Sequence, residues 1–308
     1  METNQSLSPA RGSLANDKRL RGFGLFVIAL CLVFINPLLV LLRFAYETEM
    51  YSHILLIPVV SGYLIWQRRK EVFPPPASSP AMAAIPLVLG LLAVNAFFIL
   101  SGRKALAADC DWLALTIFAW FCFLQAGALF LLGASFLRAF AFPAAFLIFM
   151  VPMPTFMLNG LEVFLQHASA EAAALLYAIT GQTVFREGLV FRLPGLTIQV
   201  AQECSGVRST FVLFITSLVA AQWFLRTTVA RAILVLAVLP LAILRNAFRI
   251  AVISMLTVHV DSRIIDSPLH HRGGPIFFAL SLVPFFALLW WLRRRENRHR
   301  PNQGVGVL

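Results

Sequence analysis

The sequence predicts an all-α polytopic membrane protein of about eight transmembrane helices, with a small extracytoplasmic amphipathic helix and β-hairpin. Three observations predict it. Apolar residues make up 59% of the 308 residues, with a mean hydropathy of +0.82, more than a water-soluble fold can bury. Charged residues are 13%, about half the share of an ordinary soluble domain. The apolar residues also fall in charge-free runs, several near the roughly 20 residues that cross the hydrocarbon core.

The polar, basic segment 1–22 reads as a cytoplasmic tail, 23–292 as the transmembrane domain and 293–308 as a second cytoplasmic tail. The uncharged run Gly22–Leu42 is too long for a signal-peptide core and no Ala-x-Ala site follows it, so it reads as a retained first span, Phe23–Leu42. A short second span, Ser52–Trp66, ends in Gln67-Arg68-Arg69-Lys70, and the prolines of Phe73–Pro80 break any helix. The third span is Ala81–Leu100 and the fourth Trp112–Leu132. Arg138 separates a fifth, Ala139–Val151, closed by Pro152-Met153-Pro154.

Gly160–Thr180 has Leu161, Phe164, Leu165, Ala168, Ala172 and Leu175 at helical spacing, an amphipathic helix. Thr183–Phe185, Leu189–Leu193 and Leu196–Val200 alternate like strands, with turns at Gly188 and Pro194-Gly195. This small β-hairpin is expected to lie on the membrane and lead into Cys204. The sixth span follows Cys204 to Leu225, the seventh is Ala232–Thr257 and the eighth Pro275–Leu292, closed by Arg293-Arg294-Arg295.

Orientation follows from charge. With the N-terminus in the cytoplasm and simple alternation, the inside segments hold 15 of the 25 basic residues and only Glu2, Asp17, Glu71 and Glu296. Cytoplasmic loops carry such an excess, so both termini are expected inside. The same rule explains the net charge of +11 without a nucleic-acid partner. The four cysteines, Cys31, Cys110, Cys122 and Cys204, form no Cys-x-x-Cys or Cys/His spacing. No disulfide framework, metal or organic cofactor is expected.

Three polar clusters interrupt the final third: Glu203-Cys204-Ser205-Gly206-Val207-Arg208-Ser209, Arg245-Asn246-Ala247-Phe248-Arg249-Ile250 and His270-His271-Arg272-Gly273-Gly274. Ionisable residues in spans are costly, and each marks a functional hypothesis. Alternation brings Cys204, Arg249 and His270 to the same outer face. A thiolate is favoured at a helix N-terminus and near a cation. Arg249 supplies that cation or stabilises an oxyanion, and an imidazole acts as acid or base near neutral pH. Together they spell acyl transfer. Arg208, four residues after Cys204, is expected on its helix face. Arg208, Arg245 and Asn246 are expected to hold a substrate carboxylate, and Glu203 to cap the sixth helix.

On these residues the sequence resembles the exosortases, membrane transpeptidase-like cysteine proteases related to the archaeosortases. Glu203 to Ser209, Asn246-Ala247-Phe248-Arg249-Ile250 and His270, four residues before Gly274 and with Phe277-Phe278 following, carry the resemblance. Tyr51-Ser52-His53, Pro152-Met153-Pro154 and the Arg186-Glu187-Gly188 turn match more weakly. The resemblance implies a catalytic Cys204, Arg249 and His270. His271 competes for the His role, and the spacing to Gly274 favours His270. It also implies an inner-membrane enzyme acting on secreted proteins whose C-terminal signal is a short motif such as Pro-Glu-Pro, a transmembrane helix and an Arg-rich tail. The product would be held as a thioester on the outer side and passed to a glycan or lipid acceptor.

Other readings stand beside this one. A transporter or polysaccharide-export component would line a polar path with Arg249 and His270, and a scaffold would do no chemistry. Cys31, Cys110 and Cys122 read as small buried residues, and His53 as structural.

Overall fold

The structure, a computed structural model, describes residues 10–68, 78–102, 109–201, 206–261, 263 and 274–298. It is mostly helical and divides into two units, residues 1–157 and 158–308.

In the first unit, α1 (Ala10–Val33) and α2 (Ile35–Glu47) meet at a bend of 73°. The expected straight span Phe23–Leu42 is therefore a bent pair. Pro37 has no N–H to offer the Val33 carbonyl, and its ring crowds that oxygen. A 3-10 helix, Glu49–Leu55, and α3 (Ile57–Gln67) occupy the expected second span. The 11 residues of α3 reach about 16 Å at 1.5 Å each, half of a hydrocarbon core, so Ser52–Trp66 is not one crossing helix.

α4 (Pro80–Gly102) and α5 (Asp109–Leu131) form the close antiparallel pair expected of the third and fourth spans. A Cβ on Gly90 would lie 2.8 Å from Phe123 Cε1, so glycine sets how near the two backbones come. Their basic end is tied by Ser79, whose N–H donates to the Leu129 carbonyl (3.1 Å) and whose hydroxyl accepts from Ala134 N–H (3.1 Å). Arg68 donates to the Ala139 carbonyl at the same end (2.7 Å). The expected fifth span breaks into α6 (Ala134–Ala139), α7 (Ala141–Phe146) and a 3-10 turn, Leu147–Met150. Pro143 cannot donate to Ala139, and the helix breaks at Phe140 between them.

α8 (Thr155–Ile179) begins where Asp111 accepts from Thr155 N–H and hydroxyl (2.7 and 2.8 Å), and its remainder lies in the second unit. Leu165, Ser169, Ala173 and Tyr177, four apart, form its buried face, and Phe164, Leu175 and Ile179 stay exposed. The amphipathic helix expected at Gly160–Thr180 is thus present and starts earlier. β1 (Phe185–Glu187), β2 (Val190–Leu193) and β3 (Leu196–Gln199) make an antiparallel meander, with Phe191 opposite Arg186 and Ile198. All three expected strands are present, the first of them two residues later than Thr183–Phe185. Phe191 is buried with Ala170, Ala173, Tyr177, Ala247 and Ala251.

Among the described residues the last four helices are α9 (Val207–Phe224), α10 (Thr228–Leu236), α11 (Val238–His259) and α12 (Gly274–Arg298). They pack around Leu213, Leu225, Leu234, Val238, Phe285 and Leu289. The Thr227 hydroxyl caps α10 by accepting from Ala230 N–H (3.3 Å). Pro240, which lacks an N–H for Leu236, marks the break between α10 and α11. The two together still form one apolar stretch, Thr228–His259. Glu296 of α12 accepts from Arg226 N–H (3.0 Å), Thr227 N–H (2.8 Å) and the Thr227 hydroxyl (2.6 Å). Arg226, Arg231 and the arginines of α12 therefore share one end of this unit.

Among the described residues five helices are long and apolar enough to cross a membrane, or seven if each of two bent pairs counts as one span. The eight crossings expected from charge-free runs are not found as eight helices. α3 is too short, and Ala139–Val151 contributes only with α8. The protein is a multi-pass membrane protein.

Candidate active site

α9 starts abruptly. Its N-cap is Gly206, in the left-handed region at φ +72°, and no side chain among the described residues caps it. Such a residue turns the chain back on itself without the Cβ penalty other residues meet. The Gly206 carbonyl accepts from Thr210 N–H (3.0 Å), the Thr210 hydroxyl (2.8 Å) and the Ser209 hydroxyl (3.1 Å). It accepts a fourth time from Arg245 Nη2, 3.1 Å away on α11, and the same nitrogen lies 3.4 Å from Thr210 Oγ1.

The approach leaves no room. A Cβ on Gly206 would lie 2.9 Å from Arg245 Nη2 and 3.5 Å from Asn246 Oδ1. Arg245 is 9% exposed and Asn246 2%. Arg245 Nη1 is buried with no hydrogen-bond partner among the described residues. Arg249 follows one turn along α11 and is half-buried, while Arg208, in the first turn of α9, is exposed. Helix N–H groups at the start of α9 and these guanidinium groups make the junction electropositive.

Depth follows from helix length. α9 has 18 residues and spans about 27 Å at 1.5 Å each. The Gly206 junction therefore stands nearly one hydrocarbon thickness, about 30 Å, from the end that holds Arg226 and Glu296. Beyond the junction, α11 continues through Ala247 and Ala251 to pack on the sheet and α8.

Of the residues expected at the site, Arg208, Arg245, Asn246 and Arg249 belong to this junction. Cys204, Glu203, His270 and His271 lie outside the described residues. One local expectation changes. Helical geometry begins at Val207, with Arg208 in its first turn. Gly206, not Glu203, is the N-cap residue of α9.

The first unit holds a polar cluster that the sequence reading missed. The Tyr51 hydroxyl lies 3.4 Å from Cys110 Sγ and donates to the Met153 carbonyl at 3.3 Å, and Cys110 Sγ donates to the same carbonyl at 3.0 Å. Tyr51 and Met153 come from two of the weaker motif matches, and this shared carbonyl is a signal for why they occur together. Among the described residues no group of three His, Cys, Asp or Glu is arranged to hold a metal.

Comparison with known proteins finds a family. The family model described as transmembrane exosortase matches residues 45–287, most of the chain. No curated protein and no solved structure matches it.

Proposed function

The chain belongs to the transmembrane exosortase family, and from that premise we propose that it is a membrane cysteine protease or transpeptidase that processes C-terminal sorting signals of secreted proteins. In this reading the Cys204 thiolate attacks the scissile carbonyl. Arg249 stabilises the oxyanion. His270 gives its proton to the leaving amine as the C–N bond breaks, and a thioester remains on Cys204. An amine of a surface acceptor, or water, then attacks the thioester carbonyl and releases the thiolate, with His270 taking the proton. His271 stands beside His270 as the alternative acid–base group.

The substrate is a protein bearing a short motif of the Pro-Glu-Pro kind, a membrane helix and an Arg-rich tail, and the acceptor is a glycan or lipid. Arg208, exposed at the start of α9, faces the motif carboxylate, with Asn246 and Glu203 shaping its surroundings. The active site looks out of an inner membrane, and both termini lie in the cytoplasm.

One observation carries the reading: the Gly206 carbonyl meets Arg245 (3.1 Å). Two motifs that lie about 40 residues apart are thereby neighbours in space, and an acyl-transfer site needs a nucleophile and a cation within reach of each other. The test is mass spectrometry of a candidate substrate's new C-terminus, co-expressed with the protein or with its Cys204→Ala variant. A defined new C-terminus with the first and intact substrate with the second is expected. Equal cutting by Cys204→Ala removes the cysteine mechanism and leaves an export role.

A further inference from the structure

Arg245 stands apart from its basic neighbours. Arg208 is exposed and Arg249 half-buried, whereas Arg245 is nine-tenths buried. One nitrogen, Nη2, serves Gly206 and Thr210 on another helix, and Nη1 has no partner among the described residues. A buried guanidinium with an idle donor lowers stability relative to an apolar residue of similar length. Stability therefore does not explain why an arginine occupies this place.

The Gly206 carbonyl supplies an explanation. Three of its four donors come from Ser209 and Thr210, on α9 itself, and travel with the helix wherever it moves. The fourth, from Arg245, reaches across from α11. It ties the left-handed turn to the helix carrying Arg249. Cys204 lies two residues before Gly206 in the sequence.

We infer that Arg245 is a positioning residue: through the Gly206 carbonyl it fixes the turn at the start of α9 against the helix carrying Arg249, and it does not bind substrate. The inference rests on the protease reading above. It makes Gly206 and Arg245 one device. A side chain at residue 206 would occupy the space through which the guanidinium reaches its acceptor, 2.9 Å from Nη2.

The experiment is steady-state processing of a substrate by the full-length protein in nanodiscs, with thermal midpoints measured on the same samples. Arg245→Met keeps the length and removes the donors. Its kcat is expected to fall by about 10- to 100-fold, the scale of an ångström-sized misplacement of a reacting group. KM is expected to hold, and the midpoint to hold or rise. Arg245→Lys retains one donor for the carbonyl and is expected to recover part of kcat. Where Arg245→Met does not accumulate, Arg245→Lys is read by the same criteria against the unaltered protein.

An unchanged kcat overturns the inference. So does a raised KM at normal kcat, which would make Arg245 a substrate ligand. A midpoint that falls in step with activity overturns it too, by making the residue a structural prop. Cys204→Ala, assayed in parallel, separates the two levels: processing that survives it sinks the protease reading itself.

Discussion

Gly206 combines a backbone angle that suits glycine with a space that admits hydrogen alone. A left-handed angle costs other L-residues about 1–2 kcal/mol, and the added methyl group meets Arg245 as well. Gly206→Ala is expected to lower both processing and the thermal midpoint. Gly160, inside α8 with nothing within 4 Å of an added Cβ, makes the contrast. Gly160→Ala is expected to stabilise by about 0.5–1 kcal/mol, read as a higher midpoint with processing unchanged. His53 gives a pH test. It sits in the 3-10 helix before α3, outside the long span helices, and burial pushes its imidazole below the ordinary 6.5, against an opposing bond to the Met50 carbonyl. Above the ordinary value both folded and unfolded states are neutral there. As pH falls through it, the unfolded chain takes up a proton that the folded chain resists, so stability drops toward the depressed value. The midpoint of the unaltered protein should decline between pH 7 and 5, and that of His53→Gln should decline less. The sequence pointed to the Cys204 and Arg249 motifs as candidates, but it did not separate Arg245 from Arg208. Both are arginines beside polar neighbours, and which one is buried depends on how α9 and α11 meet.

At the scale of elements, the three-stranded sheet is held by its apolar side rather than its charges. Phe191 and Tyr177 are fully buried with ring centroids 5.5 Å apart, and the Tyr177 hydroxyl meets Ser254 on α11 at 2.5 Å. Phe191→Ala is expected to destabilise the second unit by about 3–5 kcal/mol. The Arg186–Glu171 pair (2.6 Å) is largely exposed on its glutamate side, and Glu171→Gln is expected to leave the midpoint unchanged, since exposed pairs contribute little. Protection of sheet amides from hydrogen exchange reads both variants. The five long span helices were legible as charge-free runs, because lipid demands apolar residues and leaves few ways to disguise them. The second and fifth runs misled. Hydropathy reports what a segment is soluble in and is silent about its backbone bonds, and it is Pro37, Pro58 and Pro143 that sit where the helices bend, restart or break.

For the whole molecule, sidedness is the property still to be measured. The Arg226, Arg231 and Arg293–Arg295 end of the second unit is basic, and the Gly206 junction lies a hydrocarbon thickness away. In intact cells a membrane-impermeant thiol reagent is expected to label Cys204, and to spare Cys122, which is buried within the first unit. Labelling of Cys204 only after permeabilisation would reverse the orientation. Charge bias foresaw this clustering of arginines, because anchoring residues must sit at the water interface whatever the fold between them. The number of crossings was not foreseen, since it depends on two segments whose length alone does not decide whether they pass through.

The stretch Thr228–His259 has 32 residues, about 48 Å of helix, and the junction with Gly206 falls partway along it. Even with its break between α10 and α11, a stretch of that length exceeds the thickness of a hydrocarbon core and must tilt, bend or thicken the bilayer around it. On the proposed reading, processing by the protein in nanodiscs is therefore expected to change with the acyl-chain length of the lipid.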